Sequence, residues 1–168
     1  MISFDDAYFF MWLSRSTVPY RHLSFSAEQL RESIEAALAG GIIPIGPMLD
    51  GIIKISNGST DPFERAEINL VCARSFFIMR DFNNALNQLD AAGEAYLSSP
   101  HNQAVISWMK GCVLKEMQGK NFTTILLWQH SLDKFNRLAK SQSVQREGAE
   151  WYEDWCAEME DSINDGMP

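Results

Sequence analysis

Asp81-Phe82-Asn83-Asn84-Ala85 and Asn121-Phe122-Thr123-Thr124-Ile125 are the two stretches on which the fold turns. Each sets an Asx residue and then a phenylalanine at the same hairpin turn, ahead of a helical run. They stand 40 residues apart, and so do Cys72 and Cys112 upstream of them. A repeated turn behind a repeated helix is the mark of helix pairs in tandem, a signal to be settled before any other fold assignment.

The helices on either side follow from local chemistry. Asp61 is a good N-cap and Pro62 suits a first turn, which predicts a helix over about 62–80 with Phe63, Ala66, Leu70, Ala73 and Phe77 at helical spacing. The next run carries Phe82, Ala85, Leu86, Leu89, Ala92 and Tyr96 on one face until Ser98-Ser99-Pro100 stops it. A second pair is predicted over about 101–118 and 122–140, joined at Gly119-Lys120-Asn121, with Ile125, Trp128, Leu132, Phe135 and Leu138 inward. A last helix, over about 144–163, carries Trp151, Trp155, Met159 and Ile163 at steps of four.

The first 60 residues are less regular. Asp5 can cap a short apolar helix ending at Leu13, and Ser26 with Gln29 forms a capping-box pattern opening a second helix that Gly40-Gly41 ends. On that helix Leu30, Ile34, Ala37 and Leu38 share a face. The Gly/Pro stretch to Pro47 precludes regular structure, an apolar run spans Met48 to Ile55, and Asn57-Gly58-Ser59-Thr60 marks a boundary. The expected organisation is an N-terminal helical segment with a Gly/Pro-rich loop (1–60), two helix hairpins (61–140) and an acidic amphipathic capping helix (144–163).

Charge is segregated. The 168 residues hold 14 bases and 22 acids, a formal net charge of -8. All 14 bases and 14 of the acids fall within residues 1–146, and the other 8 acids lie beyond Arg146, so the last helix carries the whole excess. At 46% hydrophobic the chain has ample apolar residues to fold without disulfides. An acidic balance disfavours nucleic acid and anionic membranes as partners. A basic surface is the expected partner for the C-terminal helix, held by a contact that salt weakens. The apolar run Ala7–Leu13 fails as a signal peptide because Asp5 and Asp6 replace the basic n-region and no small-residue cleavage site follows. No stretch reaches the roughly 18 apolar residues of a membrane span. Three separated cysteines, Cys72, Cys112 and Cys156, with no export signal predict free thiols in a reducing cytoplasm.

On these residues the chain resembles the tetratricopeptide repeat family, whose unit is a helix hairpin with small residues where the helices cross. In the first unit Ala73 stands at the small position and Phe76 one turn on, while Ala85, Leu89 and Ala92 match the small, bulky, small series of the second helix. In the second unit Gly111 and Leu114 take the first-helix positions. Thr124, Trp128 and Ser131 follow if the turn holds one extra residue. The steric reason is that helices approach closely only where a side chain is nearly absent. The resemblance covers about 61–140 and implies an all-α array of antiparallel hairpins, an α-α superhelix. About three units are needed for stability, so the N-terminal helices or a second chain, as a homodimer, complete it.

No constellation of ionisable groups points to catalysis. His22, His101 and His130 are isolated, with no spacing that places two metal ligands on one helix face, and His101 after Pro100 reads as a cap or surface residue. The loop from Gly40 to Gly46 lacks the Lys-Ser/Thr of a phosphate loop. The expectation is a protein without enzymatic activity, metal or cofactor. The family resemblance implies that first helices line a groove, formed by Glu67, Leu70, Arg74 and Phe77 of one unit and Trp108, Cys112 and Lys115 of the other. Arg74 and Lys115 would pair with a carboxylate of an extended peptide, and Phe77 and Trp108 would anchor its apolar side chains. Trp151, Trp155 and Met159 form a stripe that either caps the array or docks in a partner. The function expected is a cytoplasmic protein-protein interaction scaffold or adaptor. The alternative is a small-ligand sensor or helical enzyme with a pocket between the array and the N-terminal segment.

Overall fold

The computed structural model describes residues 2–13, 62–140 and 146–165 and the single positions 32, 50, 54 and 58, with backbone alone at 9–13, 63–64 and 146–151. Apart from positions 32, 50 and 54, the expected helix from Ser26, the Gly/Pro loop, the Met48–Ile55 run and the Asp61 cap lie outside the described residues. Those described are helical, with no strand among them. The helices are α1 (Phe4–Leu13), α2 (Pro62–Ile78), α3 (Phe82–Ala95), α4 (Pro100–Gln118), α5 (Phe122–Ala139) and α6 (Arg146–Asn164). The chain divides into two compact units, residues 20–96 and residues 1–19 with 97–168.

In the unit of residues 20–96, α2 packs on α3. Helix α2 ends in a Schellman turn: Arg80 adopts φ 61°, its N–H donates to Phe77 O at 3.1 Å, and Asp81 N–H donates to Phe76 O at 2.9 Å. Asp81 then caps α3, accepting from Asn84 N–H at 3.4 Å. Arg80 pays the steric cost of the left-handed region, and its guanidinium stacks over Phe82, 5.0 Å from the ring centroid. Ala73, Ala85, Leu89 and Ala92 are fully buried, so the small and bulky series of this pair lies inward.

In the second unit α4 packs against both α1 and α5, and α5 against α6. Ser99 caps α4 by accepting from Asn102 N–H at 3.4 Å, and Asn121 caps α5 by accepting from Thr124 N–H at 3.2 Å. The Asx residues 40 positions apart therefore do the same work, and replacing either Asp81 or Asn121 by alanine is expected to lower unfolding free energy by about 1 kcal/mol. Urea titration of each variant measures it. A loss at one cap and none at the other would remove the equivalence of the two turns.

Across α4 and α5 the contacts pair His101 with Phe135 (ring centroids 5.6 Å), Ala104 with Ser131 (Oγ donating to the carbonyl at 2.6 Å) and Trp108 with Trp128 (stacked, 4.8 Å, 13°). Trp128 Nε1 donates to Trp108 O at 3.1 Å. At Gly111 a β-carbon would lie 2.5 Å from Trp128 Cδ1, closer than any real contact, so the indole occupies the space glycine leaves. On α6, Tyr152, Cys156, Met159 and Ile163 are buried while Glu153, Asp154, Glu158, Glu160 and Asp161 face outward.

Three expectations are corrected by these contacts. Helix α1 is capped by Ser3 rather than Asp5: Ser3 N–H and Oγ donate to Asp6 Oδ2 at 2.9 and 2.8 Å, and Asp6 N–H donates back to Ser3 Oγ at 3.1 Å. His101 is 1% exposed, not a cap or surface residue; its Nδ1 shares a 3.0 Å hydrogen bond with Tyr152 Oη, and Phe135 meets it edge-on. On α6 the expected Met159 and Ile163 are buried, but Trp155 is only half-buried, and Tyr152 and Cys156, one residue off the expected line, are buried instead.

Candidate functional site

The face of α4 that carries Trp108 and Cys112 is held by the chain's own N-terminal residues. Trp108 Nε1 donates to Ile2 O at 3.1 Å, Cys112 Sγ approaches the same oxygen at 3.9 Å, and Ile2 N–H donates to Ser162 Oγ of α6 at 2.9 Å. Ser162 in turn donates to Glu158 O at 3.0 Å. Ile2, Phe4, Ala7 and Tyr8 are all at most 2% exposed. One residue is thus gripped at both its backbone donor and its backbone acceptor by side chains from two helices, which satisfies groups that burial would otherwise leave costly.

The expected groove residues distribute as follows. Leu70 is 1% exposed on α2, and Glu67 and Arg74 are nearly as deeply buried, each already engaged within the protein. Phe77 is half-buried with its ring 5.8 Å from that of Phe82. Trp108 is 1% exposed, so the indole expected to anchor a partner is covered within its own unit by Ile2 and Trp128. Lys115 is half-buried on α4. The structure brings Trp108 together with Cys112 and Ile2, while the residues on α2 belong to the other unit. Met159 is buried, Trp155 is half-buried, and the side chain of Trp151 lies outside the described residues. Sequence reasoning missed Ile2 and Ser162, since no local pattern marks a main-chain clamp 160 residues wide.

The titratable groups here are quiet ones. Burial pushes the thiols of Cys72 and Cys112 up to about 12 and that of Cys156 up to about 11, the last with help from Glu160 and Glu153. All three are free and buried. Because the thiolate is the reacting species, the native protein is expected to show no rapid thiol with Ellman's reagent near neutral pH, and three after unfolding. One thiol modified within seconds in the folded state would contradict it. Among the described residues no group of three His, Cys, Asp or Glu could hold a metal ion. No described helix is long and apolar enough to cross a membrane.

No family model, curated protein or solved structure matches the chain.

Proposed function

We propose that the protein is a tetratricopeptide-like scaffold: an array of antiparallel helix hairpins, closed by α6, that binds a protein or peptide partner and catalyses nothing itself. The observation that carries this reading is the clamp on Ile2. Trp108 and Ser162 hold a peptide main chain by its carbonyl and its N–H, the means by which a helical array would hold an extended segment of another protein. The contact order across α4 and α5 agrees, since 101 meets 135, 104 meets 131 and 108 meets 128, so positions rise on one helix as they fall on the other. The buried Tyr152, Cys156, Met159 and Ile163 fit a closing helix that turns its acids to water.

Phe77 and Lys115 are the expected groove residues that keep accessible surface, so they carry the test. Affinity purification from the native source compares the full chain with Phe77→Ala and Lys115→Glu, each first shown to melt as the parent does. The scaffold reading expects the same partner to be retained by the parent and depleted roughly tenfold by at least one variant. Recovery of no partner by the parent, or equal recovery by all three, would overturn it.

A further inference from the structure

A groove of about 390 Å³ lies on the second unit, away from the clamp on Ile2, between the start of α4 and the last turns of α5. Leu97, Pro100, Gln103, Lys134, Arg137 and Leu138 line it. Its volume is in the range of sites that hold a few side chains, about 300–1,000 Å³. The lining is two-toned. Leu97 is 78% exposed, a cost in water for a large aliphatic side chain, and Pro100 and the half-buried Leu138 extend the apolar wall. Beside Leu138 on α5 stand two cations one helical turn apart, Lys134 and Arg137, and among the described residues neither side chain has an ion pair or hydrogen bond.

The charges that line the groove are of one sign. Burial lowers the Lys134 ammonium below its ordinary pKa, and Arg137 lowers it further. Neighbouring His130 is lowered by burial, by Lys134 and by Arg137, with only Asp133 opposing. The amide of Gln129 donates to Asp133 Oδ1 at 3.1 Å, on the solvent side of the helix. The negative end of α5 favours a cation in its last turn, which accounts for one of the two. The second is left with a like charge beside it, and an anion in the groove would relieve that repulsion.

We infer that this groove is a docking site for an acidic peptide segment of a partner protein, its carboxylate held between Lys134 and Arg137 and an adjacent apolar side chain packed on Leu97 and Leu138. This deepens the scaffold reading, on which it rests, by adding on the α4–α5 edge a second contact for the same partner, beside the one tested at Phe77 and Lys115. The carboxylate supplies what Arg137 can bind in a fork and Lys134 as a point charge. The apolar neighbour supplies what a free anion lacks, the removal of Leu97 from water.

The test uses the full chain and a fluorescein-labelled short peptide alternating glutamate with leucine, with the glutamine-leucine peptide as its uncharged counterpart. Fluorescence polarisation is expected to show binding of the glutamate peptide that is roughly tenfold tighter than that of the glutamine peptide. Raising sodium chloride from about 0.05 to about 0.3 M should weaken it several-fold. Lys134→Glu with Arg137→Glu, and separately Leu97→Asp, should each weaken it at least tenfold, whereas Arg65→Glu, an exposed cation on α2, should leave it unchanged. Equal affinity for the two peptides, no binding, or binding that survives the reversal at Lys134 and Arg137 would each overturn the site. So would a concentration-dependent dimer abolished by that reversal, because the occupant would then be the acidic helix of a second copy. If the native partner is still purified by the reversed variant, the groove is excluded while the scaffold stands; if the parent retains no partner, the scaffold itself falls.

Discussion

Gly111→Ala is expected to destabilise the protein by about 2 kcal/mol, although glycine to alanine inside a helix ordinarily stabilises by up to about 1 kcal/mol. The new methyl group would meet the indole of Trp128, which cannot retreat: it stacks on Trp108 at 4.8 Å and donates to Trp108 O at 3.1 Å. Such overpacking costs roughly 1–3 kcal/mol beyond the propensity gain. Trp128→Ala, which empties a fully buried site and leaves Trp108 unstacked, should cost about 4 kcal/mol. The decisive measurement is the double variant. With the indole gone the methyl group has room, so alanine at 111 should become neutral or mildly stabilising, and the pair should fall short of the additive sum by about 2–3 kcal/mol. Urea unfolding of the four proteins closes the cycle. Additive losses would mean that Gly111 and Trp128 do not set the approach of α4 to α5.

Acid should unfold the protein through His101. Burial among Phe135 and Tyr152 holds its imidazole neutral, with a folded pKa of about 3 against an ordinary 6.5. The folded value is the lower one, so the unfolded chain takes up the proton first as pH falls. The contribution is therefore complete above about pH 6.5 and is lost progressively from there down toward pH 3, at up to about 1.4 kcal/mol for each pH unit. Near pH 5 this amounts to about 2 kcal/mol. His101→Phe keeps an aromatic ring against Phe135 but cannot take up a proton. Unfolding free energies from about pH 8 to about pH 4.5 should thus fall more steeply for the parent than for His101→Phe. Parallel profiles would show that His101 does not titrate on unfolding.

How far the sequence could be read depended on the reach of the interaction. The turns at Asp81 and Asn121 span three residues, and both were legible as one repeated turn, though the capping bonds there come from the structure; the equivalence ends one position on, where Phe82 is half-buried and Phe122 is 78% exposed. Gly111 was legible as a close approach because a residue without a side chain inside an apolar helix has few other uses. On α6 Met159 and Ile163 were read as buried and are, whereas Trp155 is half-buried for a geometric reason. Steps of four advance about 400° and drift off a face, whereas Tyr152, Cys156, Met159 and Ile163, at steps of four, three and four, stay on it. His101 was misassigned because exposure statistics describe a residue type, and the group that decides its burial lies 51 residues away.

The sequence alone determined the helices from residue 62 onward, the turns between them and the small position where two of them meet, since all of these follow from contacts within a few residues and from side-chain size. The tertiary structure decided that Ile2 is clamped between Trp108 and Ser162, that His101 is sealed beside Tyr152, and that Lys134 and Arg137 share a groove with Leu97. Those arrangements join residues separated by 37 to 160 positions, and no periodicity along a chain encodes which distant surfaces its helices will bring together.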